Sequence, residues 1–447
     1  MEQNKITDMT EGNIGKQLIL FFLPVLFGAF FQQFYNTVDA IIVGKGVGKD
    51  ALAAVAGSSG WITKLITGVF LGVTTGASVV ISQYGGRHDM EKVDQGMHTI
   101  YAFSILGSVV TTAVCMIFVP VVLRLMRTPE ELMVDSTLYL RIYFTGILFN
   151  FIYNAGASIL RALGDSQKPL VYLIICTAVN IVLDLLLIIG LKAGVAGAAA
   201  ATVIAQAVSA VLVTRELMRS AGLSMKKLHF HRHILKQQMA IGIPDGIQYA
   251  MYDIPNIIVQ SAINVFGTNA MAAWAAYGKI DAVYWMLSSS VGTAITVFAG
   301  QNYGAGKLKR VEKGIRISML LEFIPGVMLC AIMYFFSPQL LGIFTDDPAV
   351  IAEGVPMMRT VAPFYWTYLF VEVFSGALRG MGDVIIPLIM TLLGVGVVRI
   401  LWVVLMETFC PTIPAIAFSY PVTWILTAVL FTIYFLYRMR HLHNSNL

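Results

Sequence analysis

Residues Gln83 to Gly96 read QYGGRHDMEKVDQG, and residues Gln301 to Gly314 read QNYGAGKLKRVEKG, an offset of 218. The same offset of 218 separates RALGDSQKP (Arg161–Pro169) from RGMGDVIIP (Arg379–Pro387). Nearby, ALAAVA from Ala51 faces AMAAWA from Ala270 at an offset of 219. Three segments spread over each half and holding almost one spacing mark an internal duplication. The surroundings say what was duplicated. The chain has 447 residues, 57% hydrophobic and only 12% charged, against about 25% charged for a soluble domain. Water cannot be the main solvent of such a surface; lipid can.

Working outward from the repeats, the apolar runs predict twelve membrane spans. Their limits are 14–43, 51–83, 94–120, 133–162, 169–191, 196–218, 236–266, 271–300, 311–336, 353–379, 385–409 and 413–437. Each reaches the ~20 residues that cross a bilayer as a helix. Residues 1–13 are polar and mixed in charge, so the first apolar run reads as a span and not as a cleavable signal. The predicted class is an all-α polytopic membrane protein. Its two six-helix repeats occupy residues 1–218 and 236–447, joined by a polar loop over 219–235. Six is even, so both halves share one orientation and are parallel repeats about an axis along the membrane normal.

Lysine and arginine collect at both termini and in the loops after even-numbered spans, among them Lys226, Lys227, Arg232, Lys307, Lys309 and Arg310. The positive-inside rule places that side, and both termini, in the cytoplasm of a multi-pass cell-membrane protein. Arg141, Arg359 and Arg399 fall instead inside apolar runs. The net charge of +5 is thus topological and does not indicate nucleic acid. The four cysteines, Cys115, Cys176, Cys330 and Cys410, are far apart and form no CxxC pair, so no metal or redox site is expected from them. His229, His231 and His233 alternate in the 219–235 loop and read as part of an exposed basic linker. GAGK at Gly304–Lys307 lacks the spacing of a phosphate-binding loop, with Gln301 and Leu308 at the deciding positions. It reads as a turn ending one helix and starting the next. Without a nucleotide site, catalytic triad or cofactor motif, the chain is not expected to be an enzyme. Two similar bundles facing a central cleft suit a transporter that rocks between two openings.

A carboxylate in mid-membrane costs ~2.5–3.5 kcal/mol or more and asks for a partner or a role. In span one, Gln32, Tyr35, Asn36 and Asp39 follow one another at helical spacing on one face. Thr177, Asn180 and Asp184 do the same in span five, and Asn150, Asn154 and Ser158 in span four. Thr202 interrupts an alanine-rich stretch of span six. Two carboxylates among amides and hydroxyls make an oxygen-rich site for H⁺ or Na⁺. A polar network that fixes helix register is the alternative. In the second half the repeat puts Val398 and Trp402 where the first has Asn180 and Asp184. Asp253 and Glu372 there either line the cleft for a cationic substrate or pair with Arg359, Arg399 or Lys279. Gly68, Gly72 and Gly76 form a small-residue face for close helix packing.

PVLFGAFFQQFYNTVDAIIVG from Pro24, ILRALGD from Ile159, ALRGMGD from Ala377 and GQNYGAGK from Gly300 resemble the multidrug and toxic compound extrusion (MATE) family over essentially the whole chain. The resemblance implies a V-shaped, two-lobed antiporter that exports organic, cationic compounds in exchange for H⁺ or Na⁺, with no cofactor and no obligate protein partner. It implies a coupling site of Asp39, Asn180, Asp184 and Thr202, a hinge at Pro24, and pocket positions at Gln32, Tyr35 and Asn154. Some branches of the family emphasise carboxylates of spans seven and ten, the spans that hold Asp253 and Glu372. A lipid-linked precursor flippase of the same wider superfamily is the competing class.

Overall fold

The computed structural model describes residues 8–445. Among these, secondary structure is helical throughout. In chain order the helices are α1 (Ile14–Gly46), α2 (Lys49–Ala56), α3 (Ser58–Gly86), α4 (Met90–Leu125), α5 (Glu130–Thr145), α6 (Ile147–Ala162), α7 (Gln167–Asp184) and α8 (Gly194–Ser220). The second half continues with α9 (Arg232–Asn264), α10 (Thr268–Gly304), α11 (Leu308–Phe335), α12 (Ser337–Gly342), α13 (Pro348–Val361) and α14 (Tyr365–Gly380). It ends with α15 (Ile385–Thr391), α16 (Val398–Phe409), α17 (Ile413–Ala417) and α18 (Ser419–Ser445).

The duplication is visible in the helix starts. α1, α4, α5 and α7 begin at residues 14, 90, 130 and 167, and α9, α11, α13 and α15 begin at 232, 308, 348 and 385. Each pair is separated by the offset of the sequence repeat. The breaks repeat as well. α5 and α6 bend by 50° around Gly146, and the equivalent stretch of the second half is broken by a 3₁₀ turn at Ala362–Phe364.

By length and composition, ten stretches among the described residues can cross a membrane, or eleven when the bent pair α5–α6 counts as one span. The sequence reading had twelve. The difference is α9: its 33 residues reach far beyond a bilayer core, but Lys236, Gln237, Gln238, Asp245, Gln248 and Asp253 dilute its apolar character. Elsewhere the packing is that of a membrane protein. α4 turns Leu106, Val109, Val110, Ile117 and Phe118 outward, each more than half exposed, while Ser104 and Ser108 of the same helix are buried. Large apolar side chains face lipid, and small or hydroxyl-bearing ones pack between helices.

The chain forms two compact units. One contains Leu23–Gly246, and the other contains Met9–Phe22 and the chain from Ile247 onward. These bounds differ from the 1–218, 219–235 and 236–447 division expected from the loop. The first helix of each half begins in one unit and ends in the other, so α1 changes unit beside Pro24 and α9 beside Gly246. Specific contacts hold these helix starts. Arg310 donates to Met9 O, Glu11 O, Gly12 O and Gln17 Oε1, Lys307 donates to Thr10 O, and Asn302 donates to Met9 O. In the other unit, Ser224 N donates to His98 Nε2 and Gln238 Nε2 to Gly96 O. The start of α9 then presses Gly242 and Gly246 on Gly72 and Gly76 of α3, where a Cβ on Gly72 would meet Gly246 N at 2.2 Å. The small-residue face expected in span two is therefore a helix contact at Gly72 and Gly76, whereas Gly68 faces open space.

The repeated motifs resolve into turns. Gly164 and Gly382 both take left-handed φ, +86° and +87°, which favours glycine. Asp165 then accepts from the first amides of α7. GAGK is a turn, with Gly306 at φ +72° linking α10 to α11.

Candidate cation site

The expected coupling residues gather inside the unit that contains Leu23–Gly246. Asp39 comes from α1, Thr177, Asn180 and Asp184 from α7, and Thr202 from α8. Helical spacing puts the three α7 residues on one face, and that face is turned inward: Thr177 is 5% exposed, and Asn180 and Asp184 are fully buried. α7 gives way to a π-helical turn at Leu185–Gly190 directly after Asp184. Such turns often accompany functional sites, because they re-aim the adjoining side chains. α8 approaches closely because Gly146 at the α5–α6 bend has no side chain. A Cβ there would lie 2.4 Å from Val203, the neighbour of Thr202.

Asp39 and Asp184 are close enough for their side chains to interact. The Tyr35 hydroxyl lies 3.2 Å from the Thr202 hydroxyl, one turn of α1 before Asp39. Asp39 Oδ1, both carboxylate oxygens of Asp184, the Asn180 side-chain amide, Thr177 Oγ1 and Gln206 Oε1 are buried without a hydrogen-bond partner. Buried polar atoms are ordinarily satisfied, and two carboxylates out of water demand a positive charge. The assembled donor set is oxygen-rich and anionic, which fits a proton or a hard cation such as Na⁺. Beyond it, Val43, Leu140, Phe144, Ile188, Val195, Ala198 and Ala199 form an apolar cluster that keeps water out.

Tyr139, Tyr143 and Gln206 complete the surroundings and were not singled out from the sequence. Asp39 and Asp184 both act electrostatically on Tyr139, and Tyr143 contacts Gln206. Their signal was present as two i, i+4 pairs, Tyr139–Tyr143 on α5 and Thr202–Gln206 on α8, but tyrosines in apolar helices are too common to stand out.

The other expected residues are placed differently. Pro24 lies inside α1, which runs unbroken from Ile14 to Gly46. Gln32 is exposed on that helix two turns before Asp39. Asn154 is half-buried and donates to Asn150 O and Oδ1 on its own helix. Asp253 on α9 and Glu372 on α14 belong to the other unit. Arg359 and Arg399, considered as their partners, make other bonds. Arg399 donates to Asn256 Oδ1 at 2.9 Å and Thr423 Oγ1 at 3.0 Å, and stacks over Tyr420. Arg359 donates to Tyr334 O and Ser337 Oγ. Glu372 packs against Gly292 of α10, where a Cβ would collide with its carboxylate.

That second unit also holds a polar network of its own. Ser288 and Tyr284 donate to Glu322 Oε1 at 2.6 and 3.3 Å. Tyr365 donates to Asp281, as does Trp285 Nε1 at 2.7 Å. Tyr277 and Tyr365 share a bond of 2.6 Å. Asp281 and Glu322 have no sequence signature of this network, since their partners are the neutral side chains Tyr284, Trp285 and Ser288 on α10 and Tyr365 on α14.

The MatE family model matches residues 24–186 and again 244–405, well over half of the chain and once in each half. The chain is 31% identical to the probable multidrug resistance protein YoeA of Bacillus subtilis over 86% of this chain and 85% of that one. It is 28% identical to the probable multidrug resistance protein YpnP of the same organism, over 88% and 89%. Its fold matches a crystal structure described as MATE in the bent conformation, with a TM-score of 0.93 and 22% identity over 100% of this chain and 99% of that one. With a family match in each half and a full-length structural match, the chain belongs to the MatE family of multi-pass membrane transporters.

Proposed function

We propose that this transporter is a secondary antiporter that exports organic, cationic and amphipathic compounds in exchange for H⁺ or Na⁺. The observation that carries the proposal is the buried set of unpartnered oxygens on Asp39, Thr177, Asn180, Asp184 and Gln206. A cation that joins them relieves like-charge repulsion and supplies the missing interactions in one step. The names of the relatives YoeA and YpnP, both probable multidrug resistance proteins, support the substrate class.

In this reading, the coupling ion binds at Asp39, Asn180, Asp184 and Thr202 while the cleft is open outward. The neutralised cluster tolerates a dry environment, α1 bends at Pro24, and the pocket at Gln32, Tyr35 and Asn154 is remodelled so that the compound leaves. Asp253 and Glu372 supply negative charge for a cationic compound. The cleft then opens inward, and the ion departs on the side of both termini, the cytoplasm. The work comes from the different affinities of ion and compound for the two states.

The test uses purified protein in proteoliposomes loaded with a fluorescent organic cation. A pH gradient and a Na⁺ gradient are imposed separately, with wild type and Asp39→Asn compared. Flux driven by one gradient and lost in Asp39→Asn is the expected result, and it names the ion. Equal driven flux in wild type and variant overturns the assignment.

A further inference from the structure

Arg141 and Arg359 are the same position of the duplicated sequence, 218 residues apart, and both are exposed on helices that cross the membrane. A guanidinium cannot stay in hydrocarbon without a partner. Arg359 makes its contacts at one end of α11. Its Nε donates to Tyr334 O at 3.2 Å and to Ser337 Oγ at 3.0 Å, and its guanidinium lies over the Tyr334 ring. These bonds use one nitrogen of three. Among the described residues no acidic group forms an ion pair with it.

α11 has 28 residues, about 42 Å of helix, longer than the ~30 Å hydrocarbon core. Tyr334 stands one residue from its end, and Arg359 makes its bonds there. From this point an apolar groove of about 610 Å³ runs back along α11, lined by Tyr334, Ala331, Val327 and Phe323 on one side and by Pro363 and Trp366 on the other. Phe323 and Tyr334 are eleven residues apart, roughly 16 Å along the helix axis. The groove lies beside the break of the second-half helix at Ala362–Phe364, which supplies Pro363 to its wall. At the equivalent place in the first half, Thr112 Oγ1 donates to Phe144 O at 2.7 Å.

We propose that this groove is a specific site for an anionic phospholipid, with one acyl chain between α11 and the α13–α14 break and the phosphate on the free edge of Arg359. The layout follows the lipid itself: a cationic group at the end of α11 heads an apolar channel that runs back along the helix. An arginine presents a planar pair of N–H groups that matches a phosphate.

Native mass spectrometry of the purified full-length protein, titrated with phosphatidylglycerol or phosphatidylcholine, tests the site. Wild type retains phosphatidylglycerol in preference to phosphatidylcholine. Arg359→Gln weakens retention about tenfold, the scale of one lost charge-assisted contact. Ala331→Phe fills the groove, leaves Arg359 in place and also loses the bound lipid. Arg141→Gln, at the equivalent position of the first half, retains it. Retention of phosphatidylglycerol by both Arg359→Gln and Ala331→Phe at the wild-type level overturns the proposal, as does equal retention of the two lipids by wild type.

Discussion

The Tyr35 hydroxyl and the Thr202 hydroxyl are 3.2 Å apart, and this bond ties α1 to α8 one turn from Asp39. It is a direct side-chain link between the helix that carries Pro24 and a helix of the candidate cation cluster. Tyr35→Phe and Thr202→Val each remove it. Each single change is expected to destabilise the protein by about 0.5–1.5 kcal/mol, and the double variant by scarcely more than one of them, because both delete the same interaction. Thermal unfolding of the four proteins in one detergent completes the cycle. Strictly additive losses disprove the coupling. Gradient-driven flux should fall several-fold in each variant, because α1 loses its registration on α8.

Asp184→Asn separates charge from shape. The amide occupies the same volume but cannot carry the negative charge. A carboxylate kept only for packing would be missed, and its loss would lower the melting temperature. The paired carboxyls of Asp39 and Asp184 repel instead, so Asp184→Asn is expected to melt no lower than wild type while gradient-driven efflux is abolished. A large drop in melting temperature with flux retained would make Asp184 a structural residue.

The duplication, most of the spans and the clustering of Asp39 with the polar face of α7 are legible in the sequence because each has a one-dimensional signature. The repeat keeps its offset through four helix starts, and Gln32, Tyr35 and Asp39, or Thr177, Asn180 and Asp184, are recognisable by helical spacing alone. Tyr139, Tyr143 and Gln206 were illegible because tyrosine and glutamine occur on packing faces with no charge to mark them. α9 was counted as an ordinary span, although its polar residues set it apart from the ten apolar stretches. Those residues have specific uses: Gln238 bonds Gly96 O, and Gln248 bonds Thr391 Oγ1. The unit boundaries at Phe22 and Gly246 were hidden for a related reason. They fall inside continuous helices and not in the 219–235 loop, because what fixes them is the grip of Arg310 on residues 9–12 and of α3 on Gly242 and Gly246. Composition along the chain carries no trace of either contact.

The proposed orientation has a direct check in Cys410. This thiol is exposed between α16 and α17, whereas Cys115 and Cys330 are buried. With both termini in the cytoplasm, the turn that follows the eleventh span lies outside. A membrane-impermeant maleimide should label Cys410 in intact cells, and Cys410→Ser should lose that label. Labelling that requires permeabilised cells would invert the topology, and with it the direction assigned to the transport cycle.

The glycines of α3 give a graded prediction from backbone geometry alone. At Gly72 an added Cβ would sit 2.2 Å from Gly246 N, and at Gly76 it would sit 2.3 Å from Gln238 O, both backbone atoms that cannot swing aside. At Gly68 a Cβ meets nothing within 4 Å. Alanine is the better helix former by ~0.8–1.0 kcal/mol. Gly68→Ala should therefore be neutral or stabilising by up to that amount. Gly72→Ala and Gly76→Ala gain the same propensity but force α9 away from α3, and overpacking of this kind costs ~1–3 kcal/mol or more. Their net effect is destabilising. Thermal unfolding of the three variants in one detergent reads the difference directly. Melting temperatures that fall equally at all three positions would mean that glycine serves helix flexibility in α3 rather than the approach of α9. A fall confined to Gly72→Ala and Gly76→Ala identifies the seat of α9, the point at which the second half of the chain begins its packing on the first.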